Sequence, residues 1–120
     1  MALHGGLAFL TNSSVKDLLS EIAINFANGG DNTIITGVSG QQIFVYRYFL
    51  VVGAAVNLTF WDGPSASGTA LTGPIDLAAN EAMVFTFDTR PWYSVSSGNN
   101  FVINANNGTQ VSGRAYFLQM

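Results

Sequence analysis

The stretch QIFVYRYFLVVGAAVNLTFW, Gln42 to Trp61, holds two apolar runs, Ile43 to Val52 and Ala55 to Trp61, separated at Gly53. Both are rich in β-branched and aromatic residues, which suit a pleated, half-buried surface. They read as the two strands of a β-hairpin inside an all-β domain. In the first run Ile43, Val45, Phe49 and Val51 flank Arg47 on one face, while Phe44, Tyr46, Tyr48, Leu50 and Val52 form the other. A strand apolar on both sides needs two covers. One is the opposite sheet of the same domain; the other is a neighbouring subunit or the chain's own N-terminal residues, so oligomerisation is expected.

The same grammar continues in both directions. Upstream, Ile22, Ile24 and Phe26 alternate with Ala23 and Asn25, the period of two that puts apolar side chains on one face of a strand. Asn28-Gly29-Gly30-Asp31-Asn32 tolerates positive φ and predicts a turn into a strand over Thr33 to Val38, with Ser39-Gly40 the next turn. Downstream, Val56, Leu58 and Phe60 alternate with Asn57, Thr59 and Trp61 and stop at Asp62-Gly63-Pro64. Short strands over Thr69 to Leu71 and Ile75 to Leu77 flank Gly73-Pro74, and another, Met83 to Phe87, follows Asn80-Glu81. Phe101 to Ala105 and Val111 to Leu118 close the domain as a tight hairpin across Asn106-Asn107-Gly108. The fold expected is all-β: a single antiparallel β-sandwich or jelly roll of about eight or more short strands.

The first residues differ. Leu7 to Leu10 are apolar, and Ser13 or Ser14 can cap a short helix ending at Leu19. Residues 1–19 are therefore expected to form an N-terminal arm that gains order on a partner, with residues 20–120 the sandwich domain. The alternative is that these residues supply a first strand of the domain's own sheet.

A chain of 120 residues is large enough to bury a core without a disulfide or metal staple, and it has no cysteine. That removes thiol nucleophiles and thiolate metal sites and leaves the compartment open. Charged residues make up 9% of the chain against roughly a quarter in most soluble domains, so solubility rests on Asn, Ser, Thr, Gln and Gly. With a net charge of −3 and only Lys16, Arg47, Arg90 and Arg114 basic, neither nucleic acid nor an anionic membrane is an expected partner. No apolar stretch approaches the roughly 20 residues of a membrane span, and the N-terminus lacks the cationic start of a signal peptide. The Asn-x-Ser/Thr sequons at Asn12, Asn57 and Asn107 are then chance matches in an Asn-rich chain.

Residues able to do chemistry are few. His4 is the only histidine, so neither a multi-imidazole metal site nor a Ser-His-Asp triad is expected within one chain. The acids Asp17, Glu21, Asp31, Asp62, Asp76, Glu81 and Asp88 are scattered; a glycosidase-like pair would need a larger cleft than one small sandwich offers. Asp31 and Asp62, in Gly-rich turns, read as turn residues ahead of calcium ligands. No catalytic residue, cofactor or metal is expected, and the chain reads as non-enzymatic.

Arg90-Pro91-Trp92-Tyr93 is the sharpest local cluster. Exposed aromatics beside an arginine serve both sugar-stacking platforms and interface hot spots. The bland alternative has Trp92 plugging the end of the sandwich and Arg90 paired with Asp88. Trp61, at a strand end, is read as exposed. Arg47 and Arg114, mid-strand on apolar stretches, point to intersubunit or inter-sheet ion pairs, or to an edge strand guarded against aggregation. The candidate interface residues are Leu7, Phe9, Leu10, Arg47, Tyr48, Trp61, Arg90, Trp92, Tyr93 and Arg114.

The succession Gly30-Asp31-Asn32-Thr33-Ile34-Ile35, Val38-Ser39-Gly40-Gln41-Gln42-Ile43-Phe44-Val45, Asn57-Leu58-Thr59-Phe60, Leu71-Thr72-Gly73-Pro74-Ile75-Asp76-Leu77-Ala78-Ala79-Asn80, Trp92-Tyr93 and Val111-Ser112-Gly113-Arg114-Ala115-Tyr116 resembles small β-sandwich proteins of tailed bacteriophages, many of them capsid decoration or cement proteins. The likeness covers about residues 22 to 118 and lies in turn and strand patterns. It implies a virion structural protein, made in the host cytoplasm, that binds the major capsid protein on the capsid exterior as a homotrimer and stabilises contacts between capsomers. The same scaffold resembles modules of tails and fibres, which implies the alternative of a carbohydrate- or receptor-binding module.

Overall fold

The computed structural model describes residues 18–64 and 68–120. The arm residues up to 17, with the candidates Leu7, Phe9 and Leu10, lie outside them. Ten strands follow in order: β1 (Ser20–Phe26), β2 (Gly30–Ile35), β3 (Ile43–Val52), β4 (Val56–Asp62), β5 (Thr69–Ala70), β6 (Ile75–Leu77), β7 (Ala82–Phe85), β8 (Tyr93–Val95), β9 (Phe101–Ala105) and β10 (Val111–Gln119). They form two antiparallel sheets. The first has the order β1-β10-β3, with β7 and β8 both paired to the far side of β3; the second has the order β2-β9-β4, with β5 and β6 on the far side of β4.

The short pairs β5/β6 and β7/β8 each act as one interrupted edge strand. Counted so, the chain crosses between the sheets at every step but one, from β4 to the β5/β6 edge beside it, and leaves the same nested order in both. This is a jelly roll, two four-stranded sheets wound together.

The alternation corrects the hairpin expected at Gln42 to Trp61. β3 and β4 lie in opposite sheets and share no ladder. The Gly53 N–H instead donates to the Gln110 carbonyl at 2.9 Å, in the neighbouring connection from β9 to β10. That connection is also an arch between sheets, although Asn106-Asn107-Gly108 suggested a hairpin. Asn106 Oδ1 accepts the Asn57 N–H at 2.8 Å and Asn107 Nδ2 donates to the Ala55 carbonyl at 3.1 Å, so the two arches brace each other.

The core lies between the sheets. Leu50, Val52, Val111 and Ala115 from the first meet Leu58, Phe60, Phe101 and Ile103 from the second, all but fully buried. Each large side chain moved from water contributes roughly 1.5–3 kcal/mol. One end is aromatic: Phe60 lies 5.6 Å from Tyr48, 5.2 Å from Tyr93 and 5.9 Å from Phe101, centroid to centroid. The Tyr48 and Tyr93 hydroxyls hydrogen-bond each other at 2.8 Å, which lets two phenols enter an apolar core. Burial pushes both phenol pKa values upward, so both stay neutral.

Strand β3 is where the two-face reading needs amendment. Arg47 pairs with Tyr116 but Val45 with Phe117, so Tyr46 is an extra residue in the ladder. A bulge of this kind reverses the alternation. Tyr48, Leu50 and Val52 point inward on one side of it and Ile43 and Val45 on the other, so Ile43 and Val45 do not share the face of Arg47, Phe49 and Val51.

Beside the aromatic end, paired with Phe101, buried Asp62 closes β4. Its Oδ2 accepts from the Ser96 N–H at 3.0 Å and the Ser96 hydroxyl at 2.7 Å, and its Oδ1 from Asn99 Nδ2 at 2.9 Å. It is thus a tie to the β8–β9 loop. Burial opposes its charge, but the hydrogen bonds from Asn99 and Ser96 outweigh it and hold the carboxyl below its ordinary value. A depressed folded-state value gives stability that is present above the unfolded-state pKa and lost as pH falls through the folded-state one. Asp62→Asn should therefore cost about 1–3 kcal/mol at neutral pH and flatten the acid limb of stability against pH; urea melts across the carboxylate range check both.

Candidate interaction surface

The outer face of the first sheet carries the features that a partner would meet. In register across it run Ala23, Arg114, Phe49 and Val84, and beside them Asn25, Ser112, Val51 and Ala82. The β1 and β10 side is polar. The β3 and β7 side is apolar and wet: Phe49 is 38% exposed, Val51 43% and Val84 67%. Phe49 and Val84 face each other directly, so the stripe is continuous. At the β7/β8 edge of the sheet Trp92, 43% exposed, packs edge-on against Phe85 at 4.8 Å, and its indole N–H donates to the Thr86 carbonyl at 2.7 Å.

Next to the stripe lies a recess of about 380 Å³ lined by Leu19, Arg47, Thr86, Phe87 and Tyr116. The Arg47 guanidinium sits 4.7 Å from the centroid of the Tyr116 ring, and Tyr46 stacks on Phe87 at 5.8 Å. The ring fixes the plane of the guanidinium while leaving donors outward.

The candidates separate by burial. Tyr48 and Tyr93, taken as interface residues, are core residues at 1% and 9% exposure, drawn inward by the hydroxyl pair and the aromatic stack. Trp61 is half-buried on the outer face of the second sheet beside Val102, and its indole N–H is buried with no acceptor among the described residues. Trp92 does not plug the sandwich end, and no ion pair among the described residues joins Arg90 to Asp88. Arg114 bridges within its own sheet, not between sheets, to Glu21 on the adjacent strand at 3.3 Å, both side chains about half exposed. Such a pair adds at most about 1 kcal/mol.

Phe49, Val51 and Val84 were not among the candidates. The first two were traceable, because a charged residue marks the outer face and Phe49 and Val51 stand two and four residues from Arg47. Val84 gave no such signal. Among the described residues no three His, Cys, Asp or Glu side chains lie together in a way that could hold a metal ion.

No family model, curated protein or solved structure matches the chain.

Proposed function

We propose that this chain is a non-enzymatic structural protein of a virion, a decoration protein that assembles as a homotrimer on the capsid exterior and stabilises contacts between capsomers of the major capsid protein. Jelly rolls recur in viral capsid domains and in lectins, so topology favours a shell component or a glycan binder. The surface weighs between them. The observation that carries the reading is the wet stripe of Phe49, Val51 and Val84 on the outer face of the first sheet, continuous with an arginine stacked on a tyrosine. Apolar area flanked by Arg and aromatic anchors is how stable symmetric interfaces are built.

Val84→Asp tests it. At 67% exposure the substitution should leave folding within about 0.5 kcal/mol, yet it sets a charge in the centre of the stripe. Light scattering should find an oligomer for the native chain and a monomer for the variant, and only the native chain should bind undecorated shells. A native chain that is monomeric and never binds shells ends the reading. The carbohydrate- or receptor-binding alternative rests on Trp92, the half-exposed indole at the sheet edge; a monomer captured on a glycan array would favour it instead.

A further inference from the structure

Building on the assembly reading, we infer that Arg47 of one copy forms an ion pair with Asp88 of a neighbouring copy. Arg47 lines the recess beside the stripe, and exposed Asp88 directly follows its lining residue Phe87 in the chain. They do not meet within a chain, since among the described residues the only ion pair is Arg114 with Glu21.

The other acids among the described residues have partners within the chain. Asp62 is buried under Ser96 and Asn99; Asp76 accepts from Asn57 Nδ2 at 2.6 Å and Asp31 from Asn104 Nδ2 at 2.8 Å, while Glu81 caps its own turn through the Ala78 N–H. Asp88 is exposed and binds only Thr89 beside it, through one oxygen, at 2.7 Å to the N–H and 3.3 Å to the hydroxyl. Its second oxygen faces no donor among the described residues. Arg47 suits it: its guanidinium is held 4.7 Å from the Tyr116 ring centroid, and a guanidinium offers a fork of donors that fits a carboxylate.

Closed symmetry supplies the meeting. In a cyclic trimer each Arg47 reaches the Asp88 of the next copy, so the pair forms three times around the axis. Leu19, Phe87 and the Phe49 stripe would exclude water around it, which strengthens the pair relative to one on an open surface. Each copy carries a net charge of −3, so identical chains repel at long range and a directed pair sets which register is allowed.

Charge exchange is the test. Sedimentation of R47D and of D88R should each show self-association weakened by about a hundredfold, and R47D/D88R should recover to within about tenfold of the native chain. The milder R47Q and D88N should each weaken it by about tenfold. If the single reversals assemble as the native chain does, or the double variant shows their plain sum, the pair is wrong; loss of assembly on Val84→Asp in the same series would then leave the assembly reading standing. A native chain that is monomeric throughout removes both.

Discussion

Gly113→Ala should cost more stability than any other single methyl added to this protein. Gly113 sits mid-way along β10, the strand between β1 and β3, with Ile24 on one side and Leu50 on the other. A Cβ there would lie 1.9 Å from the Phe49 carbonyl oxygen, 2.7 Å from the Leu50 Cα and 2.8 Å from the Phe49 carbonyl carbon. All three are backbone atoms, so no rotamer change relieves the clash. The strands must part, and ladder hydrogen bonds worth about 1 kcal/mol each are lost along with the strain of overpacking, about 1–3 kcal/mol. The expected loss is about 3–5 kcal/mol, a large fraction of the 5–15 kcal/mol typical of a whole domain. Urea unfolding measures it, with Gly73→Ala as the control, since nothing lies within 4 Å of a Cβ at Gly73. Equal midpoints for the two variants would mean that β10 and β3 are not in this register.

That close approach was invisible in the sequence, where Ser112-Gly113-Arg114 reads as an ordinary interruption of a strand. What was legible was everything carried by a period of two. Ile22, Ile24 and Phe26, or Val56, Leu58 and Phe60, recur at every second position, and each run is a strand with that face inward. The turn residues were equally readable as reversals, but their chemistry does not say whether the strands on either side pair or face each other. Gly53 and Asn106-Asn107-Gly108 turn the chain between sheets because Leu50 and Val52 must meet Leu58 and Phe60 across the core, a decision made by packing.

The surface was less legible for a related reason. Ala82-Met83-Val84-Phe85 is apolar throughout, so no alternation identified Val84 as the exposed member. Tyr46 shifts the parity of β3 by one, and such an insertion shows only once Tyr116 and Phe117 are paired across from it. Tyr93 was drawn into the candidate interface by Arg90, Pro91 and Trp92 beside it. It begins the short strand β8 instead, and the hydroxyl that makes its burial tolerable belongs to Tyr48, 45 residues away in sequence.

Phe60→Ala should destabilise the protein by about 3–5 kcal/mol and lower the melting temperature by roughly 10–20 °C. Phe60 is fully buried and touches aromatic rings from both sheets: Tyr48 and Tyr93 of the first, Phe101 of the second. Removing the ring forfeits its transfer from water and leaves a void that these stiff, mutually stacked neighbours cannot fill, because Tyr48 and Tyr93 are tethered to each other. Phe60→Leu keeps most of the volume and should cost clearly less, about 1–2 kcal/mol. The pair also separates core from surface. Below its melting point Phe60→Ala should assemble as the native chain does, since Phe60 never reaches the outer face, whereas Val84→Asp should melt normally and fail to assemble. If Phe60→Ala lost assembly while still folded, or melted at the native temperature, the division between a sealed aromatic core and a wet apolar stripe would not hold.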